Sequence, residues 1–139
     1  MTNRINLQLL LSYFGLLPFL FIILDKFFFN LFNPYLLKDF SILYSIIIFV
    51  FIGAINWSLA ENISFKKIII GFYPSLFSVF IIILYLLSYD ILFFITILFS
   101  CQLILDKFLY KKQVEKKIYI ILRVPLTLFI IISLILIQV

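Results

Sequence analysis

Histidine does not occur in this chain, and cysteine occurs once, as Cys101. The lack of histidine excludes histidine-ligated haem, zinc and copper sites, and it also excludes serine–histidine and cysteine–histidine catalysis. A single cysteine forms no internal disulfide, and its place inside an apolar run favours a small buried residue over a reactive thiol. The sequence therefore predicts no metal site and no cofactor.

Charged residues are also scarce, at 12% of the 139 residues, whereas 66% are hydrophobic. The mean hydropathy of +1.31 is too high for a water-soluble domain, which needs much more polar surface. The net charge of +5 comes from basic residues in short gaps between apolar runs. This placement is typical of membrane proteins and differs from the basic face that tracks a phosphate backbone. We therefore expect membrane lipids as partners and no nucleic acid.

Apolar runs separated by short polar segments organise the chain. Crossing about 30 Å of hydrocarbon takes about 20 residues of helix, and a helix satisfies its own backbone polar groups. The sequence shows no period-two alternation of the kind found in a transmembrane barrel. It therefore predicts an all-α integral membrane protein, a single domain in which five transmembrane helices form a bundle. The predicted spans are 7–24, 40–60, 68–87, 91–109 and 118–138.

The segment after the first span, residues 27–35, interleaves phenylalanine with asparagine and proline. This mixture is typical of a stretch that lies at the level of the lipid headgroups.

Lysine and arginine are divided unequally between the two sides of such a bundle. With five spans, the N-terminus and the loops after spans two and four share one side, and only Lys26 and Lys38 fall on the other. The positive-inside bias then places the N-terminus in the cytoplasm and the C-terminus outside. We expect a bacterial inner membrane, and less an organelle inner membrane, because no arginine- and serine-rich transit peptide precedes the first span. The basic residues of the richer side are Arg4, Lys66, Lys67, Lys107, Lys111, Lys112, Lys116, Lys117 and Arg123.

Polar side chains from all five predicted helices fall at one depth, near the cytoplasmic side, and the outer halves are almost purely apolar. Arg123 lies about two turns into the last span, and Gln102 and Asp106 lie one turn apart on the fourth. We therefore expect Asp106 to pair with Arg123, and Asn56 to contact Gln102 or Ser75. The predicted cluster consists of Asn56, Ser75, Gln102, Asp106, Arg123 and Thr127.

Prolines and glycines fall at the same depth. Pro18, Pro74 and Pro125 each leave the carbonyl four residues earlier without its helical donor, so a polar side chain nearby is expected to replace it. The three glycines, Gly15, Gly53 and Gly71, lie in or near this layer and allow helices to approach closely. Tyr13, Tyr73 and Trp57 are interpreted as anchors at the membrane interface.

Two interpretations of the cluster remain open. In the first, its members bind one another and hold the bundle together at one end. In the second, they line a pocket facing the cytoplasm that takes a lipid headgroup, a quinone or a small ion. The second requires a water-accessible cavity that reaches Asn56 and Arg123, whereas the first requires direct pairing and no cavity.

The lysine-rich loop before the last span also allows two interpretations. Its lysines either attract anionic lipid headgroups, at about 1 kcal/mol each, or only determine the topology, which is the more common case. The lysines concerned are Lys107, Lys111, Lys112, Lys116 and Lys117.

Five short segments carry a resemblance to a known family. They read YFGLLPF at 13–19, FIGAINWS at 51–58, YPSL at 73–76, QLILD at 102–106 and LRVPLT at 122–127. In these segments the chain resembles a membrane family of unknown function, the one that includes the mitochondrial transmembrane protein sixty-nine. The resemblance implies a five-span bacterial or mitochondrial inner-membrane protein and brings no activity with it. Asn56 stands where the family pattern has a basic residue, so any chemistry of that residue would be missing here.

Function is predicted only in outline. We expect a non-enzymatic accessory, assembly or structural component of the inner membrane that docks a membrane protein or a second copy of itself. The alternative is a small transporter, or a lipid- or quinone-binding protein, that uses the polar cluster. A membrane enzyme ranks third, because Asp106 and Glu61 are the only acid or base groups in reach and no nucleophile is evident.

Overall fold

The computed structural model describes residues 10–55, 64–110 and 119–138. Within these residues the chain is all-helical, and five helices are long and apolar enough to cross a membrane. Each has between 18 and 22 residues. The five helices predicted from the apolar runs are therefore present. They are α1 Leu10–Phe29, α2 Pro34–Ala54, α3 Phe65–Leu86, α4 Leu92–Leu109 and α5 Tyr119–Gln138.

Helix α1 is irregular at both of its ends. A turn at Gly15 and Leu16 interrupts it just before Pro18, and a π-helical segment, Asp25–Phe29, ends it. Asn30 follows in the left-handed conformation, with a φ of 50°. The predicted span stopped at residue 24, so Phe27 to Phe29, which were assigned to the headgroup level, instead continue the helix. Hydropathy misses this extension because it comes from hydrogen bonding around Asp25.

Helix α2 begins at Pro34 rather than at the predicted Phe40. The side-chain oxygen of Asn33 accepts a hydrogen bond from the backbone N–H of Tyr35 at 2.9 Å. Asparagine at the N-cap and proline in the first turn are both favourable at a helix start. A hydropathy profile does not detect either effect, so it places the start of the helix too late. The predicted end of this span, residue 60, lies outside the described residues. The other three spans agree with prediction to within three residues.

Helices α2 and α3 pack against each other at very short range. A Cβ added to Gly53 would lie 2.7 Å from the carbonyl oxygen of Gly71 and 2.7 Å from Cγ of Pro74. Only a glycine at position 53 allows this approach, as expected from the placement of Gly53 and Gly71. The close contact fixes the relative position of α2 and α3 near the residues that form the polar cluster.

The remaining helices complete a bundle around one apolar core. Helix α5 packs along α4 and α1, and α4 also contacts α2 and α3. The core contains large side chains with almost no exposure, including Phe19, Phe49, Phe99 and Leu134. The outer faces carry exposed Ile, Leu, Val and Phe, which is the expected surface of helices in hydrocarbon.

Side-chain contacts show which helix ends lie together. Tyr13 at the start of α1 contacts Ile121 at the start of α5, and Arg123 contacts Ile52 near the end of α2. We call this the Arg123 end. Lys26, near the end of α1, contacts the last turn of α5 at the opposite end, the Lys26 end.

Candidate functional site

A buried ion pair lies at the centre of the Arg123 end. Nε of Arg123 on α5 lies 3.6 Å from Oδ2 of Asp106 on α4. Gln102, one turn before Asp106, donates from Nε2 to Oδ1 of the same carboxylate at 3.0 Å. The exposed fractions of the three residues are 2% for Gln102, 1% for Asp106 and 3% for Arg123. The pairing of Asp106 with Arg123, expected from their depth, is therefore present and shielded from solvent.

Arg123 also caps helix α2, a role that the sequence did not indicate. Its Nη2 donates to the carbonyl oxygen of Ile52 at 3.0 Å and lies 3.5 Å from the hydroxyl of Tyr110. Ile52 is in the last turn of α2, where carbonyls lack intrahelical donors and the helix dipole attracts a cation. One guanidinium thus connects α5 to α4 through a carboxylate and to α2 through a backbone carbonyl.

Because of this geometry, Arg123 contributes to the stability of the bundle in addition to any role in binding. A buried ion pair adds little net stability compared with apolar residues, because desolvation offsets the Coulomb attraction. Removing one partner is different, since the remaining charge stays buried without compensation at a cost of about 3–5 kcal/mol. The cluster is therefore an arrangement in which each charge depends on the other.

Tyr13 replaces the helical hydrogen bond that Pro125 removes, and Tyr44 bonds a backbone carbonyl near Pro18. Pro125 has no N–H for the carbonyl of Ile121, and the hydroxyl of Tyr13 donates to that carbonyl at 2.5 Å. Near Pro18, the hydroxyl of Tyr44 donates to the carbonyl of Gly15 at 2.7 Å. Gly15 is the residue after Phe14, whose carbonyl loses its helical donor to the proline. The prolines indicated that such donors were needed. The donor at Ile121 is Tyr13, which was interpreted only as an interface anchor.

A groove reaches the buried arginine from one side of the bundle. It has a volume of about 300 Å³ and lies between α1, α2 and α5. Its walls are apolar apart from the side chains of Ser12, Tyr44 and Arg123. Exposed residues of α2, such as Ile47 and Phe51, line its outer part, so it opens toward the surrounding hydrocarbon.

The direct pairing that the first interpretation requires is present. The groove reaches Arg123 but opens toward the hydrocarbon, and Asn56 lies outside the described residues. The water-accessible cavity that the second interpretation requires therefore stays a prediction.

One acceptor in the cluster has no partner among the described residues. Oε1 of Gln102 is buried and makes no hydrogen bond within the described part of the chain. Turning the amide over would place this oxygen against the carboxylate of Asp106, so the present orientation is the favourable one. An unsatisfied buried acceptor costs about 1–3 kcal/mol.

Of the other predicted cluster residues, the structure describes Thr127 and Ser75, and no hydrogen bond among the described residues joins either of them to this network. Thr127 is buried one turn after Arg123 on α5. Ser75 is half-buried on α3, and among the described residues no hydrogen bond connects it to Gln102, Asp106 or Arg123. Lys107 is exposed at the end of α4. The remaining predicted residues, Asn56, Lys111, Lys112, Lys116 and Lys117, lie outside the described residues.

The opposite end of the bundle is more polar than predicted. Asp25 is fully buried, and its carboxylate accepts from the backbone N–H groups of Leu31 at 3.1 Å and Phe32 at 3.2 Å. Lys26 donates from Nζ to the carbonyls of Leu136 at 2.9 Å and Ile137 at 3.0 Å. The expectation of almost purely apolar outer halves is therefore wrong at this end. From the sequence, Lys26 was counted among the basic residues of its side, and Asp25 lay just past the predicted end of the first span.

A second ion pair links helix α2 to the loop between α3 and α4 at the Lys26 end. Nζ of Lys38 lies 3.1 Å from Oδ2 of Asp90, and both side chains are partly exposed. The hydrogen bond from Lys38 holds the pKa of the Asp90 carboxyl below its usual value, because it favours the charged form. In the sequence, Lys38 lies before predicted span two and Asp90 before predicted span four, on the same side of the membrane. Their opposite charges were the available indication of this pair.

Comparison with known families identifies the chain's relatives. Residues 6–139 match a family described as a protein of unknown function, DUF3429. The chain belongs to this family. No curated protein and no solved structure matches it. In this DUF3429 chain, the segments 102–106 and 122–127 supply the buried ion pair, and the segment 13–19 contributes Gly15 and Leu16 to the wall of the groove. The DUF3429 match covers the residues of the site and assigns no activity to them.

Proposed function

We propose that this DUF3429 protein is a non-enzymatic accessory component of a membrane, whose polar network at the Arg123 end holds its own helices together. The observation that carries the proposal is the bonding of Arg123. Its guanidinium is engaged by Asp106 and by the carbonyl of Ile52, so the buried cation is held by two other helices of the same chain. A charge held in this way is suited to fixing a bundle, which is what a rigid docking subunit needs.

The apolar surface supports a role in assembly. In the most apolar stretch of each helix, only 17% of the residues of α1 and 44% of those of α2 are buried within the chain. The exposed residues of both helices face outward, where they contact lipid, another membrane protein or a second copy of this chain. Packing of small and apolar residues drives such association in membranes.

The setting that we propose is a bacterial inner membrane, with the N-terminus in the cytoplasm and the C-terminus outside. The support is the distribution of lysine and arginine in the sequence, which favours the Arg123 end as the cytoplasmic one. Reporter fusions to the two termini test it, because an odd number of spans requires the termini in different compartments. Kinship with the mitochondrial transmembrane protein sixty-nine is likewise a proposal that rests on the five short segments.

Purification in mild detergent tests the assembly function. The wild-type chain should co-purify with a defined membrane protein in stoichiometric amount, or should run as a defined oligomer. The matched variant pair is Arg123→Met, which disturbs the polar network, and Lys107→Met, which removes an exposed charge at the same end. We expect the first to reduce recovery of the complex and the second to leave it unchanged. A wild-type chain that purifies as a monomer with lipid alone would contradict the assembly role.

The groove favours a second candidate function, the binding of an amphiphile such as a lipid or a quinone. A volume of about 300 Å³ is at the lower limit of small-molecule sites, which are mostly apolar with a few placed polar groups. The groove has this composition, with Arg123 as its charged group. Bound lipids or quinones identified after purification would support this function, whether or not a protein partner is found.

A further inference from the structure

Among the described residues, one terminal nitrogen of the Arg123 guanidinium has no hydrogen-bond partner. Nη2 bonds to Ile52 and Tyr110, and Nε faces Asp106. Nη1 makes no hydrogen bond within the described part of the chain, although Arg123 is one of the residues that line the groove. Arginine carries five N–H donors in a rigid fork and binds phosphate oxygens well. A donor of this kind at the edge of an apolar groove requires a ligand with a polar acceptor attached to an apolar body.

The depth of the arginine favours a lipid headgroup. Its acceptor Ile52 lies two residues before the end of α2, which is about 3 Å along the helix axis. Asp106 lies within the last turn of α4. The guanidinium is therefore close to the level at which helices leave the hydrocarbon. Lipid phosphates lie at this level, whereas the apolar ring of a quinone favours the acyl region.

The charge of this end favours an anionic occupant over a neutral one. Arg123 and Asp106 neutralise each other, but Lys66 and Lys67 at the start of α3 and Lys107 at the end of α4 lie at the same end. Basic residues near a membrane surface attract anionic lipid at about 1 kcal/mol each. In addition, the outer part of the groove is lined by apolar side chains that are open to the bilayer, as an acyl chain requires.

We infer that the groove between α1, α2 and α5 holds one acyl chain of an anionic phospholipid, whose phosphate accepts a hydrogen bond from Nη1 of Arg123. This inference rests on the second function proposed above and names its ligand. It is compatible with the structural role of Arg123, because that role uses Nε and Nη2.

Native mass spectrometry of the full chain tests the inference. The protein is released from nanodiscs that contain equal amounts of phosphatidylglycerol and phosphatidylcholine, and the retained lipid is identified. The wild-type chain should retain one phosphatidylglycerol with a preference of about tenfold, which one charge-assisted hydrogen bond is sufficient to provide. Ile47→Trp places an indole in the groove without touching Arg123, and it should lower retention by about fivefold or more.

The matched control is Ile83→Trp. Ile83 is exposed on α3 as Ile47 is on α2, and it does not line the groove. We expect this variant to retain lipid as the wild-type chain does. Arg123→Gln should keep an acyl chain but lose the preference for phosphatidylglycerol. If that variant does not fold, the comparison of the two tryptophan variants still decides the question.

Three results would overturn the inference. They are equal retention of the two lipids by the wild-type chain, equal loss in the Ile47→Trp and Ile83→Trp variants, and displacement of phosphatidylglycerol by an equal amount of a naphthoquinone. Unfolding of the same variants in phosphatidylcholine alone reports on the structural role. Failure of the lipid site is therefore distinguishable from failure of the polar network.

Discussion

Arg123 donates a hydrogen bond from Nη2 to the carbonyl oxygen of Ile52 at 3.0 Å, across 71 positions of the sequence. Through this bond the first turn of α5 caps the last turn of α2, while the same guanidinium faces Asp106 on α4. Three helices thus converge on one buried cation. The contribution of this arrangement to stability depends on all of its members being present, because each charge is costly to bury without its partners.

Replacing Arg123 by methionine should lower the free energy of unfolding by about 3–5 kcal/mol, since the buried carboxylate of Asp106 then loses the guanidinium that it faces. The measurement is unfolding in mixed micelles, followed by circular dichroism. Removing both charges, in Arg123→Met with Asp106→Leu, should recover most of that loss because no uncompensated charge remains.

Lys107→Met is the control for this series. It removes a positive charge that is exposed at the end of α4, close in sequence to Asp106. We expect a change within about 0.5 kcal/mol, as for most exposed substitutions. If the double variant were no more stable than Arg123→Met alone, the ion pair would not be the source of the effect.

The ion pair was predictable from sequence because two simple facts determined it. Gln102 and Asp106 are four residues apart, so they share a helix face, and the depth of Arg123 follows from its distance from the span end. The capping of α2 was not predictable in this way. Any carbonyl of any neighbouring helix is an acceptor, and the choice of Ile52 depends on how α2 and α5 pack.

The Lys26 end illustrates a different limit. Asp25 and Lys26 follow an apolar run, and hydropathy assigns such charges to the aqueous phase. In the fold they serve the ends of helices, as Asp25 accepts from the N–H groups of Leu31 and Phe32 and Lys26 donates to the last carbonyls of α5. A hydropathy profile does not register the free backbone N–H and C=O groups at helix ends, although in hydrocarbon these groups need hydrogen-bond partners.

Gly53→Ala should destabilise the protein by about 1–3 kcal/mol, in the range of overpacked cores. Alanine is the better helix former by about 1 kcal/mol, which would favour the substitution. However, the new methyl group would meet the backbone carbonyl of Gly71 at 2.7 Å, and a backbone atom yields only if α2 and α3 separate. The steric clash therefore outweighs the gain in helix propensity, and the substitution lowers the free energy of unfolding.

The neighbouring Ala54→Leu provides the control for the glycine. Ala54 is exposed on the outer face of α2, so a larger side chain there extends into the membrane. We expect little change in unfolding free energy. A destabilisation as large as that of Gly53→Ala would mean that the end of α2 tolerates no added volume anywhere, which would contradict a specific contact with Gly71.

The Lys38–Asp90 pair predicts a dependence of stability on pH. The hydrogen bond from Lys38 lowers the pKa of Asp90 in the folded state, below the value of about 3.9 for an unperturbed aspartate. The contribution of the pair is therefore complete above about pH 4 and is lost as the pH falls through the lowered pKa. Because the side chains are 38% and 58% exposed, we expect no more than about 0.5 kcal/mol.

Comparison of the wild-type chain with Lys38→Met measures this contribution across the pH range. The difference in unfolding free energy should be constant at neutral pH and should vanish in acid. High salt should reduce it, since the pair is accessible to solvent. A difference that grows as the pH falls would reverse the sign and would show that Lys38 stabilises the fold through something other than Asp90.

Tyr13→Phe should cost about 1 kcal/mol, because the carbonyl of Ile121 loses the hydroxyl that replaces its missing helical donor. A double-mutant cycle with Pro125→Ala tests this reason. Alanine at position 125 restores an N–H to the helix, so Tyr13→Phe should cost clearly less in that background than in the wild-type one. Tyr35→Phe, at an exposed tyrosine of α2, should be neutral in both backgrounds. Equal costs of Tyr13→Phe in the two backgrounds would mean that the tyrosine acts at the membrane interface and that its bond to Ile121 does not compensate for the proline.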